Sequence, residues 1–332
     1  MADVVPFLVG VGMMGTVYQR WAPQWVGDLG LILLLCGLGS WGGWFPFVRL
    51  AGERWTVSTS IHALWRRGLP LLATGGLVAA LAKWGRLNPQ QTTLLGIVGL
   101  FVILQSSVRL SQEQRLSRRT VLTATSILGW LLLAACLMAW EATHPKIAWH
   151  NTSNFPSAGT LFVSAICCEA VALLLVVCCY HLLNQRGDDR DNAELLHGSL
   201  RTQPWPSSIL LMGELSLSGV PPWPGFWWRW TLLAAMFLPH LRNSISGLAE
   251  PSTFFAWLAI GSLCVWMISL LARIGWLARV AFDEPFRARS NDWSWRGMLV
   301  LSLVLLGFVW FTVWPLSIGP AMTGWSQAEA TE

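Results

Sequence analysis

Long apolar runs separated by short polar connections organise the chain. Runs of about 17 to 25 apolar residues cross a bilayer as helices. Such runs occupy Asp28 to Val48, Ser60 to Ala82, Thr92 to Val108, Val121 to Trp140, Thr160 to His181, Phe254 to Leu277 and Gly297 to Val313. Val5 to Tyr18 is shorter, rich in Gly and Met, and is expected to span or to insert partly. The apolar stretch Ser207 to Leu238 is interrupted by Gly219, Pro221, Pro222, Pro224 and Gly225, which no continuous helix accommodates. We read it as a broken transmembrane helix, a feature tolerated in lipid only where the backbone is enclosed by protein or lines a hydrated cavity. The alternative is a Pro-rich hairpin between two short helices. The pattern predicts an all-α polytopic membrane bundle of about nine transmembrane segments in a single domain, 1–332, with 297–332 as final helix and tail.

Composition agrees. Residues are 54% hydrophobic and 12% charged, with a mean hydropathy of +0.51, more apolar surface than one water-soluble core of this length hides. The 23 Trp, against 2 Tyr, suit interfacial belts. A net charge of +5 invites a nucleic-acid reading, but the basic residues form no tract interleaved with aromatics, and no nucleic-acid partner is expected. The charge reads as topology instead. Alternate connections carry twelve basic residues, including Arg109, Arg115, Arg118, Arg119 and Arg279, whereas the opposite ones carry only Arg20, Lys83, Arg86, Lys146 and Arg242. The positive-inside rule then places the N-terminus in the cytoplasm and the C-terminus outside. The seven Cys lie in apolar runs without metal-site spacing, so no metal or cofactor is expected. Met1 to Gly15 lacks the basic start of a cleavable leader, and none is expected.

An ionisable side chain near the bilayer centre costs roughly 2.5 to 3.5 kcal/mol on insertion scales, so each one calls for a partner. His62 and Arg66 share a helix face four residues apart, with Arg67 beside them; they are either functional or an interfacial cluster. Glu169 lies within an apolar run, functional or bonded to a neighbouring helix. Glu214 and Arg229 flank the Pro-Pro break, and a pair between them would offset both desolvation costs. Arg273 lies close enough to its helix end to snorkel. No Ser-His-Asp order, phosphate loop or dinucleotide fingerprint occurs, so no catalytic site of its own is expected.

Residues 215–230, LSLSGVPPWPGFWWRW, resemble the "LSLAGIPPLAGFFGKF" signature of the antiporter-like membrane subunits of respiratory complex I, subunit N in type. Five further stretches agree in order. Residues 111–130, 192–204 and 255–285 resemble the family's "DLKRLLAYSSISHMGY", "DLAGLARRHP" and "MFFEEP" regions, and residues 37–47 and 58–68 its "GLGVKAALFPFH" and "SALLHAALVKAG" regions. The resemblance implies inverted repeats, each with a broken helix, and a buried Lys, Glu and His chain that carries protons. It implies a retained antiporter-like repeat over 92–285 and a remnant of the first broken-helix region over 28–110. The family's lysines fall on Trp41, on Arg66 or Arg67, and on Arg229, and its "FPFH" histidine on Val48. Arg does not readily release a proton, whereas Lys can be tuned by burial.

The expectation is a membrane-arm subunit of a complex I-like NADH-quinone oxidoreductase that contributes to proton translocation. Its partners would be other membrane subunits and the lipid bilayer, with any quinone contact arising at the level of the complex. A structural subunit with a decayed channel, and a component of a cation/proton antiporter or ion-uptake system of the same fold, are the alternatives. The membrane expected for it is the bacterial cytoplasmic or mitochondrial inner one.

Overall fold

The computed structural model describes residues 4–18, 23–42, 60–84, 87–143, 157–183, 191–246, 252–285 and 301–309. Within them run helices α1 (Val4–Tyr18), α2 (Gln24–Gly42), α3 (Ser60–Ala63), α4 (Leu69–Trp84), α5 (Pro89–Gln112), α6 (Leu116–Thr143) and α7 (Ala158–Leu183). They are followed by α8 (Ser199–Thr202), α9 (Pro204–Ser218), α10 (Pro224–Ser246) and α11 (Ser252–Phe282). A π turn, Leu64–Gly68, joins α3 to α4, a short 3-10 turn, Ala193–Leu196, precedes α8, and residues 301–309 are helical.

Among the described residues, four helices are long and apolar enough to cross a membrane unbroken: Pro89–Gln112, Leu116–Thr143, Ala158–Leu183 and Thr253–Phe282. They match four of the nine expected segments. At 15 residues, α1 is about 22 Å long, shorter than a bilayer core. In α2 the apolar stretch is Trp25–Ser40. The run expected from Ser60 is interrupted by the π turn, and the Ser207 run divides into α9 and α10. Val48 and the whole FPF stretch, residues 45–47, lie outside the described residues, as does the loop from 184 to 190.

The axis of the bundle is α6. Its side chains from Leu116 to Trp140 are buried on nearly every side, the property of a helix enclosed by other helices rather than bordered by one core face. Against it lie α5, α4 and α7, with α10 and α11 reaching it through Trp228 and Trp266, which pack edge-on against Trp130 at 5.9 and 6.1 Å. Small residues let α5 and α6 approach: a Cβ on Gly129 would stand 2.9 Å from the Gly99 carbonyl oxygen. Asn88 and Gln91 form a capping box ahead of Pro89, which starts α5. Gln91 also donates to Asp28 of α2 at 2.6 Å.

The start of α6 is capped from a distance. Asp191 accepts the Ser117 backbone N–H at 2.7 Å and its hydroxyl at 2.6 Å, a carboxylate at the positive end of the helix. The adjoining loop then clasps the end of α11. Gly198 donates its N–H to Arg279, and at φ +65° it closes so tightly that a Cβ would run into the Asp283 carbonyl. Arg201 donates to the Phe282 carbonyl at 3.1 Å. One loop therefore ties together the ends of α6, α9 and α11.

Candidate functional site

The break between α9 and α10 has a complete local account. Gly219, at φ 76° and ψ 41°, ends α9 in the left-handed conformation. Its N–H donates to Ser216 and that of Val220 to Leu215, a Schellman pattern. The last two carbonyls of α9 are met by side chains: Leu217 accepts from Arg229 at 2.8 Å and Ser218 from the Trp266 indole at 2.8 Å. All four terminal carbonyls that a helix leaves without intrahelical partners are thus bonded inside the protein.

On the far side of the cis Pro221-Pro222 turn, Gly225 donates its N–H to the Ser216 hydroxyl at 3.2 Å. A Cβ at Gly225 would run into the Ser216 carbonyl, and one at Gly219 would stand 2.6 Å from both the Arg229 guanidinium and the Trp266 indole nitrogen. Pro224 opens α10, where its missing donor costs nothing. Both glycines are therefore required by close approach, which is why this sequence breaks the helix here instead of fraying it.

Four charged side chains converge beside the break. Arg229 of α10 donates to Glu169 of α7 at 2.5 Å, and the Trp228 indole donates to the same carboxylate oxygen at 3.1 Å. The Arg229 guanidinium also lies 5.3 and 5.2 Å from the ring centres of Trp130 and Trp228. Arg273 of α11 donates to Glu214 of α9 at 2.6 Å. Tyr180 of α7 donates its hydroxyl to the other oxygen of Glu214, also at 2.6 Å. Glu169, Glu214, Arg229 and Arg273 are each 1–2% exposed. The two pairs are buried beside the same break, where charges are weakly screened.

This geometry corrects two expectations. Glu214 and Arg229 do not pair across the break; each takes its counter-ion from another helix, because Arg229 reaches back to cap α9 and meets α7 there. Arg273 does not snorkel but is buried against Glu214 and lies 3.4 Å from the Thr123 hydroxyl. Glu169 is bonded to a neighbouring helix, through an ion pair. His62, Arg66 and Arg67 are not members of the two pairs: His62 and Arg66 are exposed and Arg67 is half-buried, in or beside the π turn. The equivalence of Trp41 and Val48 to family residues falls on side chains outside those described.

Tyr180 and Arg119 escaped the sequence reading. Tyr180 was available as one of only two Tyr in the chain, placed in an apolar helix where its hydroxyl needs a partner. Arg119 counted toward the topology of a connection, yet it is 2% exposed.

No protein-family model matches the chain. NADH-quinone oxidoreductase subunit N of Pelobacter propionicus is 23% identical over 267 residues, 80% of this chain and 50% of that protein. The chain spans about half the length of the curated relatives it matches. A chain of respiratory complex I from Thermus thermophilus superposes with a TM-score of 0.61 at 18% identity, over 96% of this chain and 66% of its own length. A chain of the Mrp complex from Dietzia sp. gives 0.63 at 14% identity, covering 96% and 63%. The fold is that of an antiporter-like membrane subunit, built around a broken helix. In sequence the chain is a distant homologue of NADH-quinone oxidoreductase subunit N. It is an integral membrane protein, and its structural neighbours are subunits of multi-subunit membrane complexes.

Proposed function

We propose that this chain is a membrane-arm subunit of a complex I-like NADH-quinone oxidoreductase and contributes to proton translocation coupled to electron transfer. Residues 92–285 would form its antiporter-like repeat, with the N-terminus on the cytoplasmic side as the positive-inside bias directs. The observation that carries the reading is the pair of buried carboxylates, Glu169 and Glu214, each held by an arginine from another helix beside the break. An arginine holds its proton throughout physiological pH, so the groups that exchange protons here are the carboxylates. Protonating either carboxylate leaves a buried arginine without its counter-charge, which is costly. Weak screening between buried charges passes that cost to the other pair. Proton occupancy at one site thereby alters the other, which is the coupling a translocating subunit needs.

A second reading, a structural subunit with a decayed channel, is favoured by the fully bonded end of α9 and by arginine at position 229. Proton flux separates the two. The native complex, purified through a tag on this chain and reconstituted in liposomes, is driven by NADH, and proton uptake per electron is compared between wild type, Glu169→Gln and Glu214→Gln with assembly checked on native gels. The translocating reading expects flux per electron to fall in both assembled variants; unchanged flux in both makes the subunit a scaffold.

A further inference from the structure

The two buried ion pairs beside the break are unequal. Glu214 has both carboxylate oxygens engaged, Oε1 by the Tyr180 hydroxyl and Oε2 by Arg273, each at 2.6 Å. A proton added to Glu214 must turn one of these donors away. In Glu169 a single oxygen, Oε1, takes both donors, the Arg229 guanidinium and the Trp228 indole. Glu169 Oε2 is buried with no hydrogen-bond partner among the described residues, on a side chain that is 1% exposed. A bare anionic oxygen in such a place is costly, and a neutral hydroxyl there costs less. The arginines differ in the same sense. With Glu169 neutral, Arg229 keeps the Leu217 carbonyl at 2.8 Å, at the negative end of α9, and the faces of Trp130 and Trp228. It keeps Oε1 too, since the carbonyl oxygen of a neutral carboxyl still accepts. With Glu214 neutral, Arg273 keeps that carboxyl and the Thr123 hydroxyl at 3.4 Å, and no backbone carbonyl among the described residues accepts from it.

We propose that Glu169 Oε2 is the atom on which this subunit binds a proton, and that Glu214 stays ionised as the fixed counter-charge of Arg273. The inference rests on the reading of the chain as a proton-translocating subunit. On binding, a proton taken from bulk water forms one O–H bond with a lone pair of Oε2 and leaves a neutral water molecule in the bulk. No hydrogen bond of the site breaks, and the Glu169–Arg229 pair passes from neutral to a single positive charge. Release reverses the step. Trp228 is a positioning residue: its N–H, together with Arg229, occupies Oε1 and so directs the proton to the other oxygen. Its ring, edge-on to Trp130 at 5.9 Å, holds the indole in place for that contact.

The test uses the same reconstituted, NADH-driven complex and reads infrared difference spectra between its oxidised and NADH-reduced states, in which a protonated carboxyl gives a carbonyl band that shifts in deuterium oxide. One such band is expected to be lost in Glu169→Gln and kept in Glu214→Gln. Trp228→Phe keeps an aromatic ring and removes the N–H. Because Oε1 is the carbonyl oxygen of the protonated group, losing that donor is expected to move the same band to higher frequency, whereas a packing role for the ring would leave it in place. The Trp228→Phe shift also decides the matter where Glu169→Gln does not assemble. If no band is lost in Glu169→Gln, or the band lost there is lost in Glu214→Gln as well, the division of roles is overturned. An unmoved band in Trp228→Phe overturns the assignment to Oε2. Flux per electron keeps this inference apart from the reading beneath it: reduced flux in both carboxylate variants with either of those spectral failures leaves the subunit reading standing, and wild-type flux in both variants overturns the two together.

Discussion

Two helix interruptions in this chain treat their arginines in opposite ways. At the π turn, Leu64–Gly68, Arg66 is exposed and Arg67 half-buried, whereas at the α9–α10 break Arg229 is buried with a carboxylate, a carbonyl and two indoles around it. Both positions resemble lysine positions of one family. The difference lies in what the interruption leaves open. A π turn changes the helix register but keeps the backbone bonded within the segment. A Pro-Pro break instead strands a set of carbonyls, and a buried cation is a natural partner for them. Arg229 is drawn inward by that demand, and Glu169 follows to balance it. Arg66 faces no such demand.

The comparison can be broken by removing one charge from the buried set. Arg273→Met leaves Glu214 buried beside a hydroxyl alone and is expected to destabilise the subunit by about 3–5 kcal/mol, the range for orphaning a buried charge. Thermal unfolding of the purified complex, read with Glu214→Gln/Arg273→Met, checks it, because the double variant should recover much of the loss. Gly225→Ala drives a methyl group into the Ser216 carbonyl and is expected to cost about 2–3 kcal/mol, visible as a lower yield of assembled complex. Asp191→Ala removes the remote cap of α6 at an expected cost of about 1 kcal/mol, measured as a lower melting temperature. Arg66→Gln, at the exposed turn, should stay within about 0.5 kcal/mol of wild type and leave flux unchanged. An effect as large as that of Arg273→Met would erase the contrast between the two interruptions.

The smallest expected effect concerns His197, outside the spans, where burial lowers its pKa below the usual 6.5 despite Asp283, 3.5 Å away. A histidine kept neutral by folding contributes stability that is present above 6.5 and is lost as the pH falls below 6.5 through the lowered folded-state value. A shallow decline in melting temperature below pH 6.5, absent in His197→Gln, is the expected signature.

The membrane character, the long helices and the break at Pro221-Pro222 were legible from the residues, because each depends on local chemistry. Apolar run length decides what can lie in lipid, and three prolines among two glycines leave a helix no continuous path. The burial of α6 was not legible, since an apolar helix reads the same whether lipid or protein surrounds it. The same ambiguity hid the π turn, whose residues carry no distinctive pattern.

The site divides along this line. Sequence alone marked Glu169, Glu214 and Arg229 as costly charges that need partners, since desolvation depends on the residue and its run. Which partner each one takes depended on where α7 and α11 lie against the two half-helices, and that arrangement is decided by packing over the whole bundle. Glu214 and Arg229 are close in sequence, yet Glu169 and Arg273 lie 60 and 59 residues from the partners they meet. Long-range pairing of this kind is a property of assembled surfaces. The chain specified that charges would be buried and balanced, and only the tertiary structure chose the counter-ion for each.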